Sequence, residues 1–462
     1  MVLDPFWGAA LGDRRRTRRL VSVAQRLAGR PGGTMTSVFD SPKSIKAAYR
    51  LWDCPAVTHD SVIAAHVAQV RQRCREPGQV LLIEDTSALE YHSRDACTGL
   101  GPIGEDFTQG FWLHTTLAVR CDDEASRGGS RCHDLSKLRV IGLFDQQAWA
   151  RPQGVRKTPK RKCETLRRDR ESQRWARSLQ QVKAPADDNT CWIYVADRES
   201  DIYEVFDRCA QSNTRFVIRA NQDRALHEED RHIFEAVAAS PCLGQRTIEL
   251  RRPGLKTRQA TLEARAITVT LRAPWRPDST LVPRQVNIIE VREVNPPAGE
   301  EPLCWRLLTD LPIDTIEQMW RVVDIYRGRW LIEEFHKALK TGLGVEQSQL
   351  STADKLMALT GVLSVVATML IDLKLQARAD PDRPLEPGQV DDDVLAVLEH
   401  KQGRPPDGWT AAAILIAIAK LGGYMARKRD GPPGWLTIWR GWQIILLLVE
   451  GYRLARDPPR CG

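Results

Sequence analysis

The chain has 462 residues, which is long for one domain, and 42% of them are hydrophobic, enough for the cores of two or three domains. Lys and Arg outnumber Asp and Glu by 67 to 59, so the net charge of +8 is modest and the clustering of cations matters more than their total. Eleven cysteines without a CxxC pair argue against a disulfide framework or a zinc site and fit a reducing cytosol.

The first residues, MVLDPFWGAA, have no basic region ahead of a long apolar stretch. We therefore expect no signal peptide and a cytoplasmic location.

Residues 1–70 predict a helical domain that binds DNA ends. Asp13 can cap a helix whose first turns hold five arginines in front of an apolar stripe: Arg14, Arg15, Arg16, Arg18 and Arg19. A second helix begins at Ser41 and Pro42, and its cations alternate with aromatic residues: Lys43, Lys46, Tyr49, Arg50 and Trp52. Such faces suit phosphate contact and groove packing, although a solvated basic surface is the alternative.

Strands are predicted next, and two of them end in an aspartate. QVLLIE precedes Asp85 and CWIYVA precedes Asp197, with GFWLHTTLAVR and LRVIGLFDQQAW between them. A single Asp in such a place is commonly a helix cap or a turn residue. The segment 156–177, between the third and fourth strands, holds ten Lys or Arg residues against three acids, and it is either a DNA-facing segment or a solvated surface.

A β insertion is predicted at about 221–300, because strand-like runs alternate there with Pro- and Gly-rich breaks. CWRLLTD then returns as a strand and carries Trp305, which is 21 residues before Tyr326.

A helix is predicted over 315–343, and four of its side chains share one face. At about 100° per residue, the following lie within an arc of roughly 60°: Tyr326, Arg329, Glu333 and Lys340. An amphipathic helix with surface ion pairs is the ordinary explanation. Together with Asp85 and Asp197, however, Glu333 completes a set of oxygen donors suited to Mg2+, and two such ions can clamp the attacking and leaving oxygens of a phosphoryl transfer.

The C-terminal part is predicted to be helical. The apolar run at 356–371 is shorter than the ~20 residues of a membrane span and indicates a core helix. After a Pro- and Asp-rich linker at 379–393, residues 409–429 and 435–456 predict a hairpin around a GPPG turn. The second arm has an apolar surface of Trp439, Trp442, Ile445, Leu446 and Val449, which can pack inside the molecule.

Three segments carry a resemblance to a known family. IEDTSAL (83–89), VADRESDIY (195–203) and YRGRWLIEEFHKALKTG (326–342) resemble the active-site segments of bacterial cut-and-paste DDE transposases with a Tyr-Arg-Glu-Lys signature. The likeness extends from LGDRRRTRRLVSVAQRLA (11–28) to IAKLGGYMARKR (418–429).

The resemblance implies an α/β fold. A ribonuclease-H-like (retroviral-integrase-like) catalytic domain at 71–375 would lie between the N-terminal DNA-binding domain and a helical dimerisation domain at 376–462. In that fold the first and fourth strands are adjacent, which would bring Asp85 beside Asp197.

The resemblance also implies roles for the candidate residues. Asp85, Asp197 and Glu333 would be catalytic and would bind two Mg2+ ions, for which Mn2+ can substitute. Tyr326, Arg329 and Lys340 would grip phosphates near the DNA end. Trp305 would stack on a flipped base, unless it is a core residue. The N-terminal contacts would come from Arg14, Arg15, Arg18, Arg19, Lys43, Lys46 and Arg50.

The implied function is a DNA transposase that binds double-stranded transposon ends. It would nick each end, form and open a hairpin, and join the element to target DNA, as a homodimer in which each active site cuts the end held mainly by the partner. The apolar surface of the last helix would then be the dimer contact. Two alternatives remain: a ribonuclease-H-like DNA nuclease, and a catalytically idle DNA-binding relic or regulator.

Overall fold

The computed structural model describes residues 4–30, 32–91, 97–104, 108–121, 138–152, 173–179, 183–186, 189–250, 258–276, 280–385, 390–427 and 430–456. They form a mixed α/β protein with one large mixed sheet and helical regions at both ends of the chain. Most of the basic segment at 156–177 lies outside the described residues.

Three helices form the N-terminal region: α1 (Arg14–Gly29), α2 (Pro42–Trp52) and α3 (His59–Arg73). The predicted caps are present, since Asp13 Oδ1 accepts the Arg15 N–H at 2.8 Å and the Ser41 hydroxyl accepts the Ser44 N–H. The apolar stripe of α1 is buried, which leaves the arginine-rich side facing outward.

The sheet contains ten strands: β1 (Gly78–Glu90), β2 (Gly101–Pro102), β3 (Gln109–Cys121), β4 (Leu138–Trp149), β5 (Thr190–Ala196), β6 (Arg215–Arg219), β7 (Cys242–Leu250), β8 (Arg258–Leu271), β9 (Arg284–Glu293) and β10 (Cys304–Thr309). β1 is central, antiparallel to β3 on one side and parallel to β5 on the other. β4 pairs with β3, and β6 runs parallel to β5. The predicted adjacency of the first and fourth long strands is therefore confirmed.

The predicted β insertion continues the same sheet. β10 pairs with β6 on one side and β9 on the other, so the antiparallel strands β9, β8 and β7 extend the hydrogen bonding outward. A short helix that the sequence did not predict, α6 (Ile233–Ala239), packs on this extension. Two further helices flank β5: α4 (Arg174–Arg177) and α5 (Tyr203–Gln211).

The helix predicted over 315–343 is interrupted twice. It consists of α7 (Ile316–Gly328), α8 (Trp330–Lys337) and a π-helical turn (Ala338–Gly342). The N–H of Arg329 bonds the Tyr326 carbonyl three residues back, which tightens the backbone between α7 and α8. The Leu343 N–H bonds Ala338 five residues back and closes the π-turn.

The C-terminal helices are α9 (Ala353–Ala379), α10 (Asp392–Gln402), α11 (Ala411–Leu421) and α12 (Trp435–Arg456). The predicted hairpin is α11 and α12, whereas α10 was not predicted. The two arms cross closely because Gly441 has no side chain: a Cβ there would lie 1.7 Å from the Ile418 carbonyl oxygen.

One described helix, α9, is long and apolar enough to cross a membrane by length and composition alone. In this fold 78% of its apolar stretch is buried inside the protein, as expected of a core helix. It packs against α3 and β4 and joins the N-terminal helices to the catalytic sheet.

Candidate active site

The first two carboxylates of the site lie where the parallel pairing of β1 with β5 ends. β1 and β5 pair up to the residues just before Asp85 and Asp197, so the two aspartates lie side by side there. β5 ends at Ala196, whereas β1 continues past Asp85 to Glu90 in its pairing with β3, so the prediction that this strand ends at Asp85 is wrong. The Thr86 N–H donates to Asp85 Oδ1 at 2.7 Å, and the Glu199 N–H donates to Asp197 Oδ1 at 2.8 Å. These backbone bonds restrain both carboxylates.

The surroundings of Asp85 and Glu199 disfavour the charged forms of these two carboxyls. Burial, and then the charge of Asp197, raise the pKa of Asp85 to about 7, although Arg329 acts in the opposite direction. Burial, followed by the charge of Asp197, also raises the pKa of Glu199 above its usual range. The site therefore carries more negative charge than its own cations neutralise.

Glu333 reaches the same site from α8 through Arg329. One guanidinium nitrogen of Arg329, Nη1, lies 3.6 Å from Asp85 Oδ2, while Nη2 donates to Glu333 Oε1. Within the part of the chain that the structure describes, no three His, Cys, Asp or Glu residues lie close enough to hold one metal ion. The fold thus brings Asp85 and Asp197 together, and a guanidinium stands between Asp85 and Glu333.

Tyr326 faces inward rather than into solvent, being only 5% exposed. Its ring meets that of Trp305 edge to face, with the centroids 5.5 Å apart. Burial raises the pKa of this phenol, while Arg329 and Arg219 oppose the rise. Trp305 itself is only partly buried and packs at the edge of the core, so one part of its ring remains accessible.

Arg219 was missed by the sequence analysis. It is the last residue of β6, which runs parallel to β5 with Ile218 opposite Ala196, so it lies beside the position where Asp197 follows β5. A cation at the end of the strand RFVIR was the available signal.

Lys340 forms an ion pair with a residue outside the signature. It lies on the π-turn, and its Nζ is 3.5 Å from Glu346 Oε1. The predicted arc assumed an unbroken α-helix, and the π-turn changes the direction in which this side chain points.

Two acidic neighbours of the site have structural partners. Asp201 is buried and accepts hydrogen bonds from Arg224 and from two backbone N–H groups. Glu334 accepts from Lys374 at 2.7 Å and from the indole N–H of Trp435 at 2.6 Å, which joins α8 to the first residue of α12. Substitution of either residue would break these contacts, so neither is a suitable control for substitution of the predicted metal ligands. Glu199 is exposed and can serve as that control.

The N-terminal cations are available for contact. Arg14, Arg15, Arg18, Lys43, Lys46 and Arg50 are exposed and Arg19 is partly exposed. The prediction that Trp52 packs into a groove is wrong, because this side chain is 3% exposed and belongs to the core under α2. Tyr49 remains at the surface.

The dimer surface predicted on the last helix is wrong for three of its five residues. Trp439, Ile445 and Val449 are buried within the chain itself, so the alternative of packing inside the molecule holds for them. Trp442 and Leu446 stay partly exposed and line a cavity of about 650 Å³ between α9 and the C-terminal helices. α12 is apolar on more than one side, so residue spacing could not tell which side faces its own core. Among the side chains that the structure describes on α12, the exposed large apolar ones are Leu436, Ile444, Leu447 and Tyr452, and the first three share one side of the helix.

Comparison with protein families matches three regions of the chain. Residues 3–57 match a model described as transposase DNA-binding, residues 165–369 match a transposase DDE domain, and residues 389–462 match the transposase Tn5 dimerisation domain. The DDE match includes Asp197 and Glu333. Asp85 precedes it and is linked to it by the pairing of β1 with β5.

Proposed function

Because this chain belongs to the Tn5-like DDE transposases, we propose that Asp85, Asp197 and Glu333 are the catalytic carboxylates with which it cuts and joins DNA strands. The matched regions make it a DNA transposase with a DNA-binding region and a dimerisation region. The observation that carries the assignment is the parallel pairing of β1 and β5, which sets two of the carboxylates side by side.

The catalytic core is proposed to be ribonuclease-H-like. The order β4, β3, β1, β5, β6 has three antiparallel strands followed by two that run parallel to β1, and this arrangement supports the assignment.

The donor set fits divalent cations. Carboxylate oxygens are the ligands that Mg2+ prefers, Asp85 and Glu333 keep 18% and 31% of their side-chain surface exposed, and a guanidinium already balances part of their charge. Two Mg2+ ions, or Mn2+ in their place, would supply the Lewis-acid chemistry of phosphodiester hydrolysis and transesterification.

The chain's own side chains would bind and orient the DNA. Arg329 has a planar fork of donors that can hold a phosphate through two hydrogen bonds. Lys340 would supply a second cation once it leaves Glu346, and Tyr326 would hold Arg329 and Trp305 in place. Trp305 would stack on an unpaired base near the break.

The proposed reaction sequence is nicking at the element end, hairpin formation on the flanking side, hairpin opening and strand transfer to target DNA. No Ser or Cys nucleophile is required, because water and DNA 3'-hydroxyls are the attacking groups.

Pairing of two ends would require a dimer. The exposed apolar side of α12, defined by Leu436, Ile444 and Leu447, is the proposed contact, and each subunit would cut mainly the end bound by its partner. Two subunits holding two ends would make strand cleavage depend on assembly.

The test is to incubate the purified protein and Mg2+ with DNA from the flanks of its own gene and to resolve nicked, hairpinned and joined products. Cleavage confined to the element ends supports a transposase. Cleavage without end preference would indicate a nuclease, and end binding without any cleavage would indicate a regulator or relic.

A further inference from the structure

A buried acid and a buried histidine lie directly behind the proposed metal ligand Asp85. Glu84 has no exposed surface and His114 is 1% exposed. His114 Nε2 lies 2.8 Å from Glu84 Oε1, and the Thr116 hydroxyl donates to the same oxygen at 3.0 Å. The proposed strand-cleavage chemistry uses none of these three groups.

Burial of Glu84 and His114 costs free energy. A carboxyl and an imidazole lose their hydration inside the sheet, and apolar side chains of similar size would fill the same space without that loss. Glu84 directly follows the apolar run VLLI in β1, and His114 lies with two threonines between the apolar stretches of FWLHTTLAV in β3. The pair therefore contributes fixed side-chain positions rather than the burial of apolar surface.

The network leads to the Asp85 carboxylate in two steps. His114 Nδ1 lies 2.7 Å from the Thr86 hydroxyl, and the backbone N–H of Thr86 donates to Asp85 Oδ1 at 2.7 Å. Glu84 Oε1 accepts the proton carried on Nε2, and Nδ1 shares a hydrogen bond with the hydroxyl of Thr86. His114 thus positions Thr86, and the backbone of Thr86 positions the Asp85 carboxylate.

The hydrogen-bond network and the Asp85 carboxylate lie on opposite faces of β1. Side chains alternate along a strand, so Glu84 and Thr86 share one face of β1 while Asp85 points to the other. His114 lies opposite Thr86 in the register of β3 and contacts both of these neighbours. Trp175 of α4 covers the imidazole edge to face, with the centroids 4.8 Å apart, which keeps the ring in place.

We propose that His114, together with Glu84 and Thr86, is a positioning device that fixes the Asp85 carboxylate in the orientation needed to bind a divalent cation. This inference rests on the proposed role of Asp85 as a metal ligand. His114 touches neither substrate nor metal and acts only through Thr86. Groups that orient a metal ligand in this way typically change metal affinity by about 10- to 100-fold when they are removed.

The experiment measures Mn2+ binding to the full-length protein without DNA, by electron paramagnetic resonance of the free ion. Thr86→Val removes the hydroxyl, keeps the backbone N–H and changes a partly exposed side chain of nearly the same shape. His114→Gln removes the ring nitrogen that meets Thr86. We expect each variant to weaken Mn2+ binding about tenfold or more. The double variant should weaken it no further, because both changes break the same link.

A matched control separates positioning from general loss of stability. His66 is another buried histidine under the same sheet, and its Nε2 accepts the Leu143 N–H at 3.0 Å, away from the carboxylates. His66→Gln should lower the melting temperature and leave Mn2+ affinity unchanged.

The outcomes are distinct. Unchanged Mn2+ affinity in folded Thr86→Val refutes the positioning role, and this variant decides the matter if His114→Gln fails to fold. Additive losses in the double variant would also refute the single link. Unchanged Mn2+ affinity in Asp85→Asn would instead overturn the proposed function of Asp85 itself.

Discussion

The guanidinium of Arg329 lies between two proposed metal ligands, with Nη1 3.6 Å from Asp85 Oδ2 and Nη2 bonded to Glu333. A positive charge there offsets the repulsion of the carboxylates while no other cation is present. The same side chain is the best candidate to grip a DNA phosphate. We therefore expect metal binding and phosphate binding to favour each other. A metal ion bound to the carboxylates frees Arg329 to bind a phosphate, and a phosphate bound to Arg329 frees the carboxylates to bind the metal ion.

Replacement of Arg329 tests this competition. Arg329→Gln should strengthen Mn2+ binding about tenfold in the absence of DNA, because a charged hydrogen bond worth roughly 1.5 kcal/mol no longer has to be broken. The same change should weaken binding to element-end DNA. Titration of Mn2+ with and without end DNA measures both effects, and an Arg329→Gln protein with weaker Mn2+ binding would contradict the placement of this side chain as a competitor.

Removal of a metal ligand should separate cleavage from binding. Asp85→Ala, Asp197→Ala and Glu333→Ala should each abolish strand cleavage and leave end binding largely intact, since none is a principal DNA contact. Gel assays of cleavage and of end binding on the same preparations provide the comparison. Glu199→Gln is the control, and full cleavage by any one of the three variants would remove that residue from the ligand set.

Metal binding should also depend on pH through Asp85. Its pKa is about 7 in the folded protein and about 4 in an unfolded chain, so the folded state holds the proton more tightly. Without metal, Asp85 contributes stability below about pH 4, and this contribution, at most about 4 kcal/mol, is lost as the pH rises through 7.

A divalent cation competes with that proton, so stabilisation by Mg2+ should increase from pH 6 to pH 8. The measurement is the difference in melting temperature with Mg2+ and with EDTA across this range. Asp85→Asn should flatten the dependence, and a difference independent of pH in the unmodified protein would argue against Asp85 as a ligand.

The basic side of α1 should govern affinity for DNA ends. Neutralising Arg14, Arg15, Arg18 and Arg19 together should weaken binding and reduce the slope of log affinity against log salt by about 0.9 for each phosphate that the variant no longer binds. Binding isotherms at several salt concentrations give the slope. Lys401→Gln, an exposed cation on α10, is the control, and an unchanged slope in the fourfold variant would make this side a solvated surface.

Assembly should depend on the exposed side of α12 and not on its buried side. Leu447→Arg changes a side chain that is 62% exposed, so the protein should fold and bind one end, yet fail to form paired-end complexes. Sizing of protein–DNA complexes beside a cleavage assay tests this, and efficient cleavage by single-end monomers would refute cutting in trans.

Trp439→Ala provides the contrast, because Trp439 packs against Gly342 of the π-turn inside the chain. It should lower the free energy of unfolding by about 3 to 5 kcal/mol, as measured by denaturant titration.

A Leu447→Arg protein that still pairs two ends would exclude the exposed side of α12 as the dimer contact.

The sequence alone predicted the long strands, the first two helices and the family of the chain. The apolar runs of β1, β3, β4 and β5 follow directly from residue types, because a buried strand needs a continuous apolar stretch. Asp13 and Ser41 indicated the starts of α1 and α2, because their side chains bond N–H groups only a few residues away. The family segments supplied Asp85, Asp197 and Glu333.

Only the tertiary structure decided what depends on contacts between distant residues. The ion pair of Arg329 with Asp85 joins positions more than 200 residues apart, and no local pattern encodes it. The tight turn at Arg329 and the π-turn beyond it turned Lys340 toward Glu346, where an ideal helix would not place it. The buried side of α12 likewise follows from its packing against α11, α10 and the π-turn, because a helix that is apolar on several sides has no local signal for the side that faces its own core.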